Sequence, residues 1–554
     1  MLTIFINWIY ILITIFCLGF ALAAFSEKVL HYRFKRMDSV LMAGLVMATI
    51  YAQIFSLFYR VNIEANIVLV VVCLVAIAIW HRQMYAFLKT AFVESSTLRK
   101  ILILVLFAAW CFFTSRGYCV PDMNAYHGQS IHWIEEYGVV KGLGNLHGRY
   151  GYNSSIFAVS ALYSMKFLFG RSLHAVNGLI AFLISVSLLD LGKCFRRKKM
   201  FLSDFARVGA VYYLTTIWDE IIAPSSDYAA MCTVFFIVIK WMTQLEEESE
   251  EDRENIAPYA LLCVVGAYAL TVKLSAGLIL ILLCKPAYRL LREKRWKEII
   301  IYLCMGLLAA VPWMARTVLI TGWLFYPFTA LDLFQVDWKM TNYGDINIDA
   351  AQVEVWAKAA NAFGIDSPLQ QWFPHWFSTE LSATEKLLVV GNIAACILFL
   401  MIAVKTIVKK EWEKLDILQV LTMLFGCYLF WQFKAPMFRY GYAYVLLLVS
   451  VMTGYLLKDR KIIKILYVGL ILFGTYKLYI GCDWIKGCYL LPNYVWQETY
   501  DRGPERTYEF EGHIFYVTEN GELPGYDPFP TGEREILERI ELRGEDIKDG
   551  FRLK

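Results

Sequence analysis

The chain has 554 residues, of which 58% are hydrophobic and only 18% charged, against about 25% charged in an ordinary soluble domain. This composition excludes a soluble globular protein. The formal charge, 53 basic minus 49 acidic residues or +4, is dispersed between long apolar runs, which disfavours nucleic acid as a partner and makes the lipid bilayer the main one.

Roughly 20 apolar residues cross the hydrocarbon core as a helix. In chain order the runs extend from Leu2 to Phe25, Val40 to Tyr59, Ala65 to Trp80, Ile101 to Thr114, Ala175 to Leu191, Phe205 to Trp218, Tyr228 to Met242 and Ala257 to Val272. They continue with Leu274 to Cys284, Ile299 to Leu319, Leu387 to Val408, Leu415 to Trp431, Met437 to Leu457 and Ile462 to Ile480. The expected architecture is all-α and polytopic, with about fourteen membrane helices. Ala21-Leu22-Ala23 looks like a leader cleavage site, but no basic segment precedes the first run, so that run is expected to stay as a membrane helix. The thirteen cysteines show no CxxC pair or zinc spacing, and most sit inside apolar runs as small hydrophobes.

Basic clusters mark the cytoplasmic side. Here they are Arg33/Lys35/Arg36, Arg82/Lys89/Arg99/Lys100, Arg196 to Lys199, Arg292/Lys294/Arg295/Lys297, Lys409/Lys410/Lys414 and Lys458/Arg460/Lys461. Placing all six inside puts both termini outside, together with loops over 115–174 and 320–386. Parity then requires Ser154 to Gly170 to lie along the outer interface or to re-enter it, with Tyr163 and Phe167 at headgroup level. The expected division is N-terminal helices over 1–100, a membrane core over 101–481 and an extracytoplasmic α+β tail over 482–554. In that tail, His513 to Val517 reads as a strand, and Glu519-Asn520-Gly521 and Leu523-Pro524-Gly525 read as turns. The run from Glu246 to Glu254 reads as a solvated acidic loop.

Polar residues gather in the first outer loop: Asp122, Asn124, Tyr126, His127, His132, Glu135, Glu136, His147, Arg149 and Asn153. Titratable groups at a membrane face signal function. Asp122 is either a carboxylate that takes a proton from an attacking hydroxyl or the N-cap of a helix from Asn124 to Tyr137. Glu135 and Glu136 read as a solvated helix face. His127, His132 and Glu135 are metal-ligand types, but no Asp-x-Asp pair accompanies Asp122, so neither a metal site nor another cofactor is assigned. Asp227 is either a cap beside Ser225 and Ser226 or a second carboxylate facing Asp122. Lys273 interrupts an apolar stretch, either snorkelling or functional. Arg316 ends a helix before Thr321-Gly322-Trp323 and Phe325-Tyr326-Pro327, where a guanidinium suits a lipid phosphate or an ordinary headgroup anchor. Lys434 and Arg439 repeat the theme at another outer helix end.

These features resemble the GT-C superfamily of polytopic membrane glycosyltransferases. The resemblance rests on Asp122 opening the first large outer loop, on Ser154 to Gly170, on Pro312 to Pro327 and on Ala223 to Asp227. Asp122…Tyr126-His127, Gly142 to Arg149, Asn153-Ser154-Ser155 and the segment Leu542-Arg543-Gly544 to Gly550-Phe551 resemble, more closely, a bacterial family of multi-span envelope proteins related to GT-C enzymes. Three helices before Ile101 depart from the commonest GT-C layout.

The resemblance implies transfer of a sugar, with inversion, from a polyprenyl-phosphate carrier to an envelope glycan or lipid acceptor, at the outer face of a bacterial inner membrane. It implies Asp122 and Asp227 as catalytic carboxylates, and Arg316, with Lys273 or Arg439, as holders of the carrier phosphate. Tyr126, His127, His147, Arg149, Tyr326 and Lys434 complete the expected substrate-binding set, and Tyr126, Trp133 and Tyr326 would stack on sugar faces. Two other readings stand beside it. An O-antigen-type polymerase or ligase would lean on loop arginines, and Thr321 to Lys386 has none. A glycolipid transporter or flippase would show inverted repeats, and none is visible.

Overall fold

The structure, a computed structural model, describes residues 1–116, 120–247, 249–328, 330–341, 347–359, 364, 367–457, 469, 472–477, 479–481, 494–498, 500, 505–518 and 524–554. Most of the expected helix from Ile462 to Ile480, the cluster Lys458/Arg460/Lys461 and the turns over 519–523 lie outside the described residues.

Ten described helices are long and apolar enough to cross a bilayer: Leu2–Val29, Met37–Ser56, Ile63–Glu94, Thr97–Ser115, Ser226–Leu245, Leu274–Arg292, Trp296–Thr321, Ala383–Val408, Trp412–Lys434 and Phe438–Leu457. The chain is a mostly helical, multi-pass membrane protein. Three shorter apolar segments, Ser155–Phe169, Val176–Gly192 and Ala257–Val272, pack among them. The first two helices cross closely because each presents a glycine: a Cβ on Gly19 would lie 1.9 Å from the Val40 carbonyl oxygen, and one on Gly44 would lie 1.7 Å from that of Ile15. The helix Ala383–Val408 begins with a reciprocal cap, in which Ser382 and Glu385 each satisfy the other's backbone N–H.

The stretch from Ser154 to Gly170 forms two short helices, Ser155–Leu162 and Lys166–Phe169. Neither is long enough to cross a bilayer. Tyr163, however, is fully buried beside Thr14 (2.9 Å), with Asn7 donating to its carbonyl (2.6 Å), so only Phe167 remains exposed enough for a headgroup level. The acidic run also departs from the expected loop: Glu250–Glu254 forms a short helix capped by Ser249. Glu246 accepts the backbone N–H groups of Leu202 and Ser203, a carboxylate at the start of the helix Leu202–Leu214.

In the C-terminal region, Glu505–Phe510 pairs antiparallel with His513–Thr518, and Ile540–Leu542 pairs antiparallel with Phe551–Leu553. Their apolar residues Phe515, Leu537, Ile540 and Phe551 share a core with Trp133, Val140, Leu143 and Leu146 of the first loop. Gly142 permits this docking. Its φ is +65°, and a Cβ would sit 2.0 Å from the Phe551 carbonyl oxygen, while the Phe551 N–H bonds the Lys141 carbonyl at 2.9 Å.

Candidate functional site

At one end of the helices, four charged side chains from four distant segments form an alternating chain. Asp122 follows the helix Thr97–Ser115 at the start of the first loop, and Arg439 lies in the first turn of Phe438–Leu457. The Arg439 Nη2 donates to Asp122 Oδ2 at 2.5 Å, and its Nε lies 3.2 Å from Asp227 Oδ2. Lys273 donates to the other Asp227 oxygen. Its Nζ sits 4.2 Å from the Tyr440 ring centroid, and the Arg439 guanidinium lies 5.3 Å from the same ring.

Local structure frees these carboxylates for one another. Ser225 occupies the N-cap of Ser226–Leu245, and its hydroxyl accepts the Asp227 N–H (3.2 Å), so the Asp227 carboxylate is not needed as a cap. Asp122 makes no side-chain cap bond either; it precedes a π-helical turn, Met123–His127. Such turns recur at functional sites because they re-aim side chains. Burial pushes the Asp122 carboxyl up, but the Arg439 guanidinium, helped by Arg149, outweighs it and holds the group below the ordinary carboxylate value. Asp122 is therefore ionised at neutral pH, and 29% of its side chain remains exposed.

His127 is buried against Phe157, at 5.2 Å between ring centroids, and its Nδ1 has no hydrogen-bond partner among the described residues. Burial lowers its imidazole to about 4, so it is neutral. Tyr126 packs on His127, and the Arg149 guanidinium lies about equally far from two rings, 6.0 Å from Tyr126 and 5.9 Å from Trp356. Arg149 has no carboxylate within ion-pair distance among the described residues. A cavity of about 260 Å³ opens beside Arg439, walled by the aromatic residues Tyr228, Trp356, Trp376, Phe438 and Tyr442 and by Glu380, Glu385 and Glu220, the last held by the Tyr228 hydroxyl at 2.5 Å.

Other expected site residues lie elsewhere. Arg316 is 1% exposed. It donates to Asn153 Oδ1 (3.1 Å) and to the Ser56 hydroxyl, and among the described residues it pairs with no carboxylate. Asn153 in turn donates to the Trp313 carbonyl and to Thr317, both at 3.1 Å. Arg316 thus locks the first loop onto two helices and presents no face to a substrate. Replacing it with Met should lower the thermal stability of the purified protein by about 1–3 kcal/mol through the unpaired acceptors; unchanged melting would contradict that locking role.

Lys434 is largely exposed and, among the described residues, reaches only Glu354, at 3.8 Å. His147 points to the C-terminal region, 3.6 Å from Glu533. Tyr326 is buried against Gly151 and Tyr152, and Trp133 is buried in the loop–tail core, so neither is open to a sugar face.

The solvated-face reading of Glu135 is corrected: the residue is fully buried. It accepts hydrogen bonds from the Tyr526 and Ser172 hydroxyls, and Ser172 lies 3.0 Å from His174 Nε2. Burial raises the Glu135 carboxyl above its ordinary value. Glu136 pairs with Lys166 at 2.8 Å, and Lys166 also donates to His132 Nε2 (2.7 Å). That leaves His132 Nδ1–H to donate to the Tyr526 carbonyl (3.0 Å). Tyr526 and Phe529 stack on His132 at 4.2 and 4.0 Å. Sequence reading missed Tyr440, Trp356 and the Tyr228–Glu220 pair; only Tyr440, adjacent to Arg439, carried a local signal. Among the described residues, no three His, Cys, Asp or Glu side chains converge as a metal-binding group.

A family model described as a domain of unknown function (DUF8201) matches residues 1–446, a span that contains every member of the charged chain. No curated protein and no solved structure matches.

Proposed function

The chain belongs to the DUF8201 family, and from that premise and the chemistry of the site we propose that it is a membrane glycosyltransferase of the GT-C type. Its donor is a polyprenyl-phosphate-linked sugar and its acceptor an envelope glycan or lipid. In this reading about fourteen crossings place the charged chain, both termini and the C-terminal region on the outer face of a bacterial inner membrane, with the basic clusters inside.

The observation that carries the proposal is the convergence of Asp122, Arg439, Asp227 and Lys273 beside a cavity lined by aromatic and acidic side chains. Asp122 has one oxygen committed to Arg439 and the other available for the acceptor proton. As the acceptor oxygen attacks the anomeric carbon, the carbon–phosphate-oxygen bond breaks and its electron pair leaves on the phosphate. Arg149, which has no carboxylate within ion-pair distance among the described residues, is the cation assigned to receive that charge. Arg439 and Asp227 hold Asp122 in place, and Lys273 neutralises Asp227. This assignment moves the phosphate role from Arg316 to Arg149.

The test is transfer from a radiolabelled polyprenyl-phosphate sugar into glycan or lipid in membranes carrying the wild-type chain, Asp122→Asn or Arg149→Ala. Each substitution should lower transfer by about 100-fold. Full activity in either variant would remove the role given to that residue, and translocation of the donor without its consumption would overturn the enzymatic reading.

A further inference from the structure

The end of the helices opposite the charged chain carries the basic clusters of the described residues and a second polar network, buried among apolar helices. Asp38 and Asp190, with side chains only 5% and 3% exposed, are its two carboxylates. Asp38 accepts from Arg36 at 3.0 Å and from Lys240 at 2.7 Å. Asp190 lies 2.6 Å from Arg36, 2.8 Å from Arg99 and 3.3 Å from Lys193. Four cations therefore share two carboxylates. Lys193 is half exposed and solvated, but Arg36, Arg99 and Lys240 sit mostly out of water, where positive charge in excess of its partners is costly and attracts an anion.

Arg36 and Lys240 also line a cavity of about 120 Å³, against the roughly 10–15 Å³ that one water needs. Its polar wall continues with Ser39, Thr243 and Gln244; Glu247 is the one carboxylate in the lining. Its other wall is apolar, formed by Leu22, Leu262, Val265 and Met305 from three helices. These four are only half buried, and Ile300 and Leu303, on the helix that carries Met305, are exposed. The cavity thus joins a cationic pocket to a lipid-facing apolar flank, at the level where a helix end meets the headgroups.

We propose that this cavity binds the phosphate headgroup of an anionic phospholipid from the adjacent leaflet. Arg36 and Lys240 supply the charge and the N–H donors, and the acyl chains leave over Leu262, Val265 and Met305. This site is independent of the transfer reaction and lies at the other end of the helices.

The purified full chain in detergent is titrated with phosphatidylglycerol, phosphatidylcholine or inorganic phosphate, and bound lipid is read by native mass spectrometry. Wild type should retain phosphatidylglycerol about tenfold more tightly than phosphatidylcholine, and inorganic phosphate should not displace it. Lys240→Met, which leaves Asp38 paired with Arg36, and Leu262→Trp, which fills the apolar flank, should each weaken the phosphatidylglycerol adduct by about tenfold. Equal retention of the two lipids, or unchanged binding in Leu262→Trp, would overturn the proposal. Displacement of the lipid by phosphate would overturn the lipid assignment in favour of a free-phosphate site. If Lys240→Met does not fold, the lipid comparison and Leu262→Trp decide.

Discussion

Replacing Arg439 with Gln should produce the largest loss at the proposed active site, about 100-fold or more in glycosyl transfer, together with a measurable loss of thermal stability. The physical reason is its position between two carboxylates. Without the guanidinium, Asp122 loses its 2.5 Å partner and Asp227 keeps only Lys273, so two negative charges face each other in a partly dehydrated pocket. Removing one partner from a buried pair costs about 3–5 kcal/mol; because Arg439 and Asp122 remain 23% and 29% exposed, the lower end of that range is expected. Lys273→Met should cost less, since Asp227 keeps Arg439. Scanning calorimetry of both variants in detergent, alongside the transfer assay, checks this order. A Lys273→Met variant less stable than Arg439→Gln would contradict the bridging role.

Acidification should loosen the C-terminal region from the first loop. Burial holds His132 and His147 at about 4 and His174 at about 3 in the folded protein, against about 6.5 in an unfolded chain. Between these values the unfolded state binds more protons, so the stability contributed by these histidines is fully present above about pH 6.5 and declines as pH falls towards 4. Glu135 works in the opposite direction: its raised value favours the folded state on the acid side, one group against three. Lys166, Glu136, Asp527 and Glu533 face the same interface. Limited proteolysis should therefore cut within 505–554 faster at pH 5 than at pH 7, and His132→Phe, which keeps the ring stacked on Tyr526, should reduce that difference. Equal cleavage at both pH values would mean that the histidines are not coupled to docking.

Several features of the site were legible because they are local. Asp122, Asp227, Lys273 and Arg439 each interrupt or terminate an apolar run, and polar groups at helix ends in a membrane protein are informative on that ground alone. Arg316 carried the same signal and proved to have a different role. Only the fold places Asn153 and Ser56 around it and closes the pocket. Glu135 shows the converse error: at near-helical spacing in a polar loop it looks solvated, but Tyr526, almost four hundred residues later, covers it. Burial depends on what packs against a residue, and neighbours distant in sequence leave no mark on local periodicity.

Sequence by itself determined that this chain belongs in a membrane and that it is mostly helical, because long apolar runs match the thickness of a bilayer. It also separated clustered basic residues from isolated Asp, Arg and Lys. The tertiary structure alone decided which of those isolated charges meet. Asp122 and Arg439 are 317 positions apart, and Lys273 and Asp227 belong to two further segments. Their alternation of sign arises where four helix ends converge and each charge, removed from water, is stabilised by the opposite charge beside it.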